Sequence, residues 1–335
     1  MSHRQSAKKV KPMKNVLVTE PMHQNGLNIL HHHPEINIIK IDDIAPSTLR
    51  EAMRNVDAVL VRTARLTADI LDSAPNLQIV SKHGVGCDNI DVAYLSSRKI
   101  PVAIAAGANA LSVAEHTMGL MLAVARDLPV LDQMVKNGRW SEGRNSYRSA
   151  DLKGAKIVIL GFGRVGQKVA PLCKAFGMDV VVADIALDAD LAAVMGCRGV
   201  VDFRPELHDA DFLSLHVPLD DSTRHIVAVD ELALMKPGSI LINCARGDVV
   251  DEDALLDALD SGHLRGAGID VLAEEPPAAD NRLMSRRDVV MTPHNGAGAL
   301  SAAVGVSEMS AQNVLDAFDG KLRRECIFNL ADLPK

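Results

Sequence analysis

Short runs of β-branched and aliphatic residues recur along this chain, and segments of helical periodicity separate them. Each run is too short for a helix and nearly continuous in apolar character, which is typical of strands buried on both faces of a parallel sheet. Strands and helices that alternate in this way predict a doubly wound α/β architecture. The predicted strands are residues 15–19, 58–62, 79–81, 102–104, 156–160, 179–183, 212–216, 239–243, 267–271 and 289–291.

The runs form two series, one before and one after a helical stretch at residues 110–126. A second helical stretch, at residues 300–319, follows the second series. Two series fit a chain of 335 residues, since a domain usually takes about 100–200 residues. Residues 325–330 look like a segment that returns to the first domain.

Composition excludes several classes of protein. The net charge of −7 and an aromatic content of 3% argue against a nucleic-acid binder. No apolar run reaches the roughly 18 residues of a membrane span, so we expect a cytoplasmic protein that makes no membrane contact. The five cysteines are scattered and form no C-x-x-C pair, which favours reduced thiols and predicts no metal site. Residues 1–13 are basic with no apolar segment after them, so we expect a disordered tail and not a secretion signal.

The strongest local motif is Gly161-Phe-Gly163-Arg-Val-Gly166, which follows a predicted strand and opens a predicted helix. Gly161 allows a tight turn, Gly163 lets backbone amides approach a pyrophosphate, and Gly166 lets the helix pack closely. The next strand ends at Asp184, about where an acid meets a ribose 2′-hydroxyl. Residues 185–187 bring no arginine, so the motif predicts NAD and not NADP. The alternative, a purely structural glycine turn, does not explain the acid.

Three polar residues follow successive predicted strands of the second series, namely Arg246, Glu275 and His294. Ligands of open α/β sheets gather at the carboxyl ends of strands. A guanidinium binds a substrate carboxylate, and an imidazole moves a proton near neutral pH. A carboxylate beside the imidazole fixes its tautomer. Each residue alone is explained as well by a surface charge or loop cap, but together they predict a hydride-transfer site.

The chain resembles the D-isomer-specific 2-hydroxyacid dehydrogenases and, within them, the phosphoglycerate dehydrogenase branch. The resemblance implies that Arg246 binds substrate, that His294 is the acid/base and that Glu275 pairs with it. It also implies that backbone amides of Gly84, Val85 and Gly86 hold the substrate carboxylate. The resembling stretches, in order, are residues 82–91, 109–117, 159–166, 216–219, 243–251, 268–276 and 292–295. The residues predicted to bind the cofactor are Gly161, Gly163, Arg164, Val165, Gly166, Asp184, His216, Pro218, Thr223, Cys244, Ala245 and Asp270.

The resemblance also implies a discontinuous arrangement of two domains. Residues 14–108 and 297–335 are expected to form a flavodoxin-like substrate domain. Residues 109–296 are expected to form a Rossmann cofactor domain inserted into it. Catalysis is expected in the cleft, where domain closure excludes water. Family members usually dimerise through the cofactor domain, which would use the stretch from about residue 110 to 150.

The substrate is the least determined feature. Arg62 and Lys82 match basic positions of the phosphoglycerate dehydrogenase branch, and Arg65 lies close by. These cations could hold a phosphate, a sulfonate or a second carboxylate, or could be surface charges. No room remains after Leu330 for a regulatory domain, so we expect the short form of the enzyme.

Other functions remain open beside 3-phosphoglycerate oxidation. They are hydroxypyruvate or glyoxylate reduction, reduction of another 2-oxo acid, phosphite oxidation, and a dinucleotide-sensing scaffold similar to nuclear corepressors. Glu275 argues against formate oxidation, because formate enzymes carry glutamine there.

Overall fold

The structure is a computed structural model that describes residues 12–146 and 149–334. Apart from Pro12 and Met13, the predicted tail of residues 1–13 lies outside the described residues. The described chain divides into two compact units. The first unit takes the residues up to Asn109 and those from Leu300 onward, and the second takes Ala110–Ala299.

Twelve strands and twelve α-helices are found in the described residues. The strands are β1 (Lys14–Val18), β2 (Ile36–Lys40), β3 (Ala58–Val61), β4 (Ile79–Lys82), β5 (Val102–Ala103), β6 (Lys156–Leu160), β7 (Asp179–Ala183), β8 (Arg198–Val200), β9 (Phe212–Leu215), β10 (Ile240–Asn243), β11 (Gly266–Ile269) and β12 (Val289–Met291). The helices are α1 (Gln24–His31), α2 (Pro46–Met53), α3 (Ala68–Asp72), α4 (Val92–Ser97), α5 (Ala110–Ala125), α6 (Leu128–Lys136), α7 (Trp140–Arg144), α8 (Gly166–Ala175), α9 (Ala189–Val194), α10 (Val229–Leu234), α11 (Glu252–Asp260) and α12 (Leu300–Phe318).

The first unit is built on a parallel sheet with strand order β2-β1-β3-β4-β5. That order is flavodoxin-like. Side chains alternate between the two faces of each strand, so Val16 packs with α1 and α12 while Leu17 packs with α2 and α3. Both faces are therefore covered by helices, which explains why the central strand β3 is apolar throughout.

The C-terminal segment of the described chain returns to this sheet. Ile327 pairs antiparallel with Ala103 of β5, and the backbone amide of Phe328 donates to the carbonyl of Val102 at 2.8 Å. The buried Asn329 side chain accepts from the amide of Val102 at 2.9 Å and donates to the carbonyl of Ile100 at 3.0 Å. This pairing covers the edge that β5 would otherwise expose.

The second unit is built on a parallel sheet with order β12-β11-β10-β9-β6-β7-β8. From β6 the chain winds outward through β7 and β8, then returns to β9 on the other side and winds outward to β12. This is the Rossmann order, and its switch point lies between β6 and β9. Helices α5 and α8 pack on one face, and α10 and α11 pack on the other.

The predicted fold class, two parallel α/β units with flavodoxin-like and Rossmann sheets, is confirmed. Strands β6, β7 and β12 have the predicted bounds. The predictions missed β2 and β8, which are the edge strands beside β1 and β7. An edge strand lacks a neighbour on one side and tolerates polar residues, so its apolar pattern is weak. Within the described residues, no helix combines the length and apolar character needed to cross a bilayer.

Candidate active site

The predicted site residues of the second unit follow the carboxyl ends of neighbouring strands of one sheet. Because those strands are parallel, their carboxyl ends share one edge. Strand ends on both sides of the switch point contribute to this edge. It carries Gly161 after β6, Asp184 after β7, His216 after β9, Cys244, Ala245 and Arg246 after β10, Asp270 after β11 and His294 after β12.

The glycine loop between β6 and α8 has the features of a phosphate-binding turn. Gly161 has φ +98°, and a Cβ there would lie 2.6 Å from the carbonyl carbon of His216, so a side chain is excluded. Gly163 is exposed and faces open space, with no atom within 4 Å of a Cβ position. Arg164 is exposed and Val165 half-buried, and α8 begins at Gly166. The loop therefore leaves its backbone open beside a helix N-terminus, as a dinucleotide pyrophosphate requires.

Asp184 fixes a negative charge beside this loop. Its Oδ2 accepts a hydrogen bond from the backbone amide of Phe162 at 2.8 Å, and its Oδ1 accepts from that of Ala186 at 2.8 Å. Each carboxylate oxygen keeps acceptor capacity for a ribose hydroxyl. A 2′-phosphate would meet the carboxylate charge, and the next residue, Ile185, is 89% exposed and brings no cation. The residues present fit NAD better than NADP.

The loop after β9 carries His216, Pro218 and Thr223. His216 Nε2 lies 2.8 Å from Ser214 Oγ, while its buried Nδ1 has no partner among the described residues. Burial lowers the pKa of His216 to about 3, so the ring is neutral near pH 7. The hydroxyl of Thr223 donates to the carbonyl of Pro218 at 2.7 Å and closes the turn.

The turn after β10 positions Arg246. The buried Asn243 side chain accepts from the amide of Ala245 at 3.0 Å and donates to the carbonyl of Arg246 at 2.9 Å. A Cβ on Gly247 would lie 1.9 Å from the carbonyl carbon of Leu272, so this turn rests directly on the segment that leads to Glu275. Burial raises the pKa of Cys244 to about 12, which makes it a neutral thiol that packs against the α5 and α8 face of the sheet.

Glu275 and His294 form a hydrogen-bonded pair. His294 Nδ1 lies 2.7 Å from Glu275 Oε2, and Glu275 Oε1 accepts from the amide of Leu272 at 3.0 Å. Burial alone would raise the pKa of Glu275, but these hydrogen bonds and the charges of His294 and Arg246 outweigh it and lower that pKa. The His294 side chain is 51% exposed, so its other nitrogen is open to a reactant. An ionised carboxylate thus orients an accessible imidazole.

Asp270 fixes the loop that carries His294. Its carboxylate is 2% exposed and accepts from Thr292 Oγ1 at 2.6 Å and from the amides of Asn295 and Gly296 at 2.8 Å each. His294 has φ +49°, a left-handed conformation that costs free energy without surrounding support. The resemblance predicts that Asp270 contacts the cofactor, and no sequence motif indicates these additional contacts with the loop of His294. Its contact with nicotinamide stays a prediction.

His116 of α5 also contacts this loop. Its Nε2 lies 2.8 Å from Thr292 Oγ1 and 3.4 Å from Asp270 Oδ1. The helix α5 is therefore joined to the loop of His294 through side chains, a contact that the sequence did not reveal. Within the described residues, no group of three or more His, Cys, Asp or Glu side chains could hold a metal ion.

The predicted substrate residues of the first unit lie at the carboxyl edge of its own sheet. Arg62 follows β3, Lys82 ends β4, and Gly84, Val85 and Gly86 come directly after it. The Arg62 side chain is exposed and makes no hydrogen bond or ion pair with the described residues. Lys82 Nζ instead donates to the carbonyl of Arg62 at 2.6 Å, so at least part of its bonding capacity supports the neighbouring loop.

Taken together, the glycine loop, Asp184 and the Glu275–His294 pair define a dinucleotide-binding α/β domain with an acid–base pair. The model of the D-isomer specific 2-hydroxyacid dehydrogenase NAD binding domain matches residues 118–296. A D-3-phosphoglycerate dehydrogenase of Methanocaldococcus jannaschii is 37% identical over 324 residues, which cover 96% of this chain and 61% of that protein. A glyoxylate reductase of Thermococcus litoralis is 36% identical and covers 92% of this chain and 94% of that protein.

A solved structure agrees with these matches. The D-lactate dehydrogenase of Aquifex aeolicus, complexed with NAD and lactic acid, superposes with a TM-score of 0.81 at 27% identity, over 92% of this chain and 96% of that one. The chain belongs to the D-isomer specific 2-hydroxyacid dehydrogenase family and carries its NAD-binding domain. It spans about three fifths of the length of the phosphoglycerate dehydrogenase it matches.

The open space above Gly163 gives a test of the cofactor loop. We expect Gly163→Ala to fold normally, because the added methyl group meets no protein atom. The methyl group would occupy the approach of the pyrophosphate, so the dissociation constant for NADH should rise about tenfold or more. Fluorescence titration with NADH measures the constant, and Gly305→Ala in α12, whose Cβ also has room, is the control. An unchanged constant would place the pyrophosphate elsewhere.

Proposed function

We propose that the protein is an NAD-dependent dehydrogenase that transfers a hydride between nicotinamide and C2 of a D-2-hydroxy or 2-oxo acid. The observation that carries the proposal is the Glu275–His294 pair, joined at 2.7 Å at the carboxyl edge of a nucleotide-binding sheet. Family membership and the position of Asp184 support NAD as the cofactor.

Three polar residues have roles in this chemistry, namely Arg246, Glu275 and His294. Bound nicotinamide supplies or accepts the hydride. In reduction, His294 donates a proton to the oxygen on C2 while that carbon gains the hydride, so a 2-oxo acid, NADH and one proton give a 2-hydroxy acid and NAD⁺. Glu275 stabilises the protonated imidazole and holds its orientation. Arg246 binds the substrate carboxylate, for which its planar guanidinium is suited.

We propose a 3-phosphoglycerate-like substrate, with Arg62 binding its second anionic group. The exposed Arg62 guanidinium, which makes no hydrogen bond or ion pair with the described residues, supports this choice. The relatives include both phosphoglycerate dehydrogenases and a glyoxylate reductase at similar identity. Hydroxypyruvate or glyoxylate reduction is therefore the alternative, and in that case Arg62 is a solvated surface charge.

The acid–base pair is tested by His294→Asn and Glu275→Gln. Loss of the proton donor in His294→Asn should lower kcat about 10²- to 10⁴-fold while NADH binding is retained. Glu275→Gln replaces the carboxylate that accepts from His294 Nδ1 with a neutral amide, so the orientation of the imidazole is lost and kcat should fall about tenfold or more. NADH absorbance measures both effects.

His208→Asn is the matched control for the pair, because His208 lies in the same unit with its side chain 73% exposed. It should leave kcat unchanged. Turnover of His294→Asn equal to that of the wild type would refute the assigned role of His294. A Glu275→Gln variant with the kcat of the wild type would remove Glu275 from the mechanism.

The substrate is tested by Arg62→Ala. The kcat/KM for 3-phosphohydroxypyruvate should fall about 100-fold, because a charge-assisted contact with the phosphate is lost. The value for hydroxypyruvate, which lacks the phosphate, should change little. Arg54→Ala, which removes another exposed arginine of the same unit, is the control. Equal loss with both substrates, or higher activity of the wild type with glyoxylate or hydroxypyruvate, would favour the alternative reductase.

We also propose that two copies pair through the segment of α6 and α7. Helix α6 has no buried residue, although a surface helix normally buries one face. Three apolar side chains along this segment are exposed, with Leu128 at 51%, Val135 at 48% and Trp140 at 61%. Exposed apolar side chains that are grouped in one segment are typical of a protein interface.

Trp140→Glu tests the pairing, since a buried charge at an interface is strongly unfavourable. We expect the wild type to sediment as a dimer and Trp140→Glu to sediment as a monomer at the same concentration. Val194→Glu, which changes an 85% exposed residue of α9, should remain dimeric. A monomeric wild type, or a Trp140→Glu variant that stays dimeric, would contradict the proposed interface.

A further inference from the structure

The carboxylate of Glu20 binds the backbone of the segment Arg62–Ala64, which we name the β3 loop. Glu20 follows β1, and β1 is the direct neighbour of β3 in the first sheet. Its Oε2 accepts from the amide of Arg62 at 2.9 Å, and its Oε1 accepts from the amides of Thr63 at 2.5 Å and Ala64 at 2.8 Å. The hydroxyl of Thr63 donates to the same oxygen at 2.5 Å.

The carbonyls of the β3 loop are held from its other side. Lys82 Nζ donates to the carbonyl of Arg62 at 2.6 Å and also to the side-chain oxygen of Asn89. Asn89 Nδ2 donates to the carbonyl of Ala64 at 2.7 Å. An acid from one neighbouring strand and a base from the other therefore fix both the donors and the acceptors of this loop.

Burial alone would raise the pKa of Glu20, but hydrogen bonds from Thr19, Thr63 and the loop amides outweigh it and lower that pKa. The carboxylate is therefore ionised near pH 7, and its bonds to the amides are charge-assisted. Because those amides are already used, they do not bind a substrate anion. The Arg62 guanidinium, exposed and without a hydrogen bond or ion pair among the described residues, is the group that the loop presents.

We propose that Glu20 is a positioning residue for substrate specificity, which fixes the β3 loop so that Arg62 binds the second anionic group of the substrate. The chemistry of the guanidinium suits a phosphate, a sulfonate or a carboxylate. Lys82 then acts on the same loop through the carbonyl of Arg62. This inference rests on the proposed function, in which Arg62 contacts the substrate.

The loss of charge and the loss of loop support in Glu20→Gln should change the affinity for an anionic substrate in opposite directions. Removal of a negative charge close to the anion site would by itself strengthen anion binding. Glutamine, however, keeps a single acceptor oxygen and turns an amide group toward backbone donors, so the loop loses its support. A weaker affinity for the anionic substrate thus reports lost positioning and not a change in net charge.

Steady-state kinetics of Glu20→Gln with 3-phosphohydroxypyruvate and with hydroxypyruvate test the inference. We expect the KM for the phosphorylated acid to rise about tenfold, with kcat nearly unchanged and the KM for hydroxypyruvate little affected. Asp57→Asn is the matched control. Asp57 also accepts from a backbone amide, that of Asn15 at 2.9 Å, and from a lysine, Lys14 at 2.8 Å, but it precedes β3 at the opposite edge of the sheet.

A second variant guards against a folding defect in Glu20→Gln. Thr63→Val removes one hydrogen bond to Glu20 and should raise the same KM by a smaller factor. If Arg62→Ala raises the KM for the phosphorylated acid while Glu20→Gln and Thr63→Val do not, the positioning role is wrong and the proposed substrate stands. If none of the three variants changes that KM, both the anion contact of Arg62 and the role of Glu20 are overturned.

Discussion

The conformation of the proposed catalytic histidine depends on the hydrogen bonds that the Asp270 carboxylate accepts. That carboxylate is almost completely buried and takes three donors from the loop of residues 292–296. A buried carboxylate without partners would be strongly destabilising, whereas each bond to a charged group contributes about 1.5–3 kcal/mol. These bonds offset the positive φ of His294, whose cost is about 1–3 kcal/mol. Asp270 thus fixes the backbone of the loop that carries His294, and Glu275 orients the imidazole ring.

The first unit uses the same device for a different purpose. Glu20, like Asp270, follows a strand and accepts consecutive backbone amides of a loop that ends another strand. In each unit the acid follows one strand, and the side chain that it supports follows the neighbouring strand. That side chain, Arg62 or His294, is exposed. The acid holds the backbone of the loop, so the basic side chain of that loop does not have to do so.

Sequence patterns predicted the parts of this structure that follow from burial and strand order. The nearly continuous apolar runs predicted the bounds of β6 and β7 correctly. The positions of Glu275 and His294 after successive strands predicted that their side chains lie close together, and they do. The edge strand β2 was missed because it lacks a continuous apolar run. Glu20 was missed because its partners lie more than forty residues away and no local spacing marks them. Lys82 was predicted to bind substrate, and its bond to the carbonyl of Arg62 was invisible in the sequence.

The central claim is that His294 supplies the proton of a hydride transfer, and a single-turnover experiment tests it most directly. The enzyme is mixed with NADH and a 2-oxo acid. NADH absorbance and a pH indicator are followed together. We expect NADH oxidation to precede proton uptake from solvent, because the proton comes first from the protein, and we expect this lag to vanish in His294→Asn. Simultaneous NADH oxidation and proton uptake in the wild type, or no NADH oxidation with any 2-oxo acid, would contradict the claim.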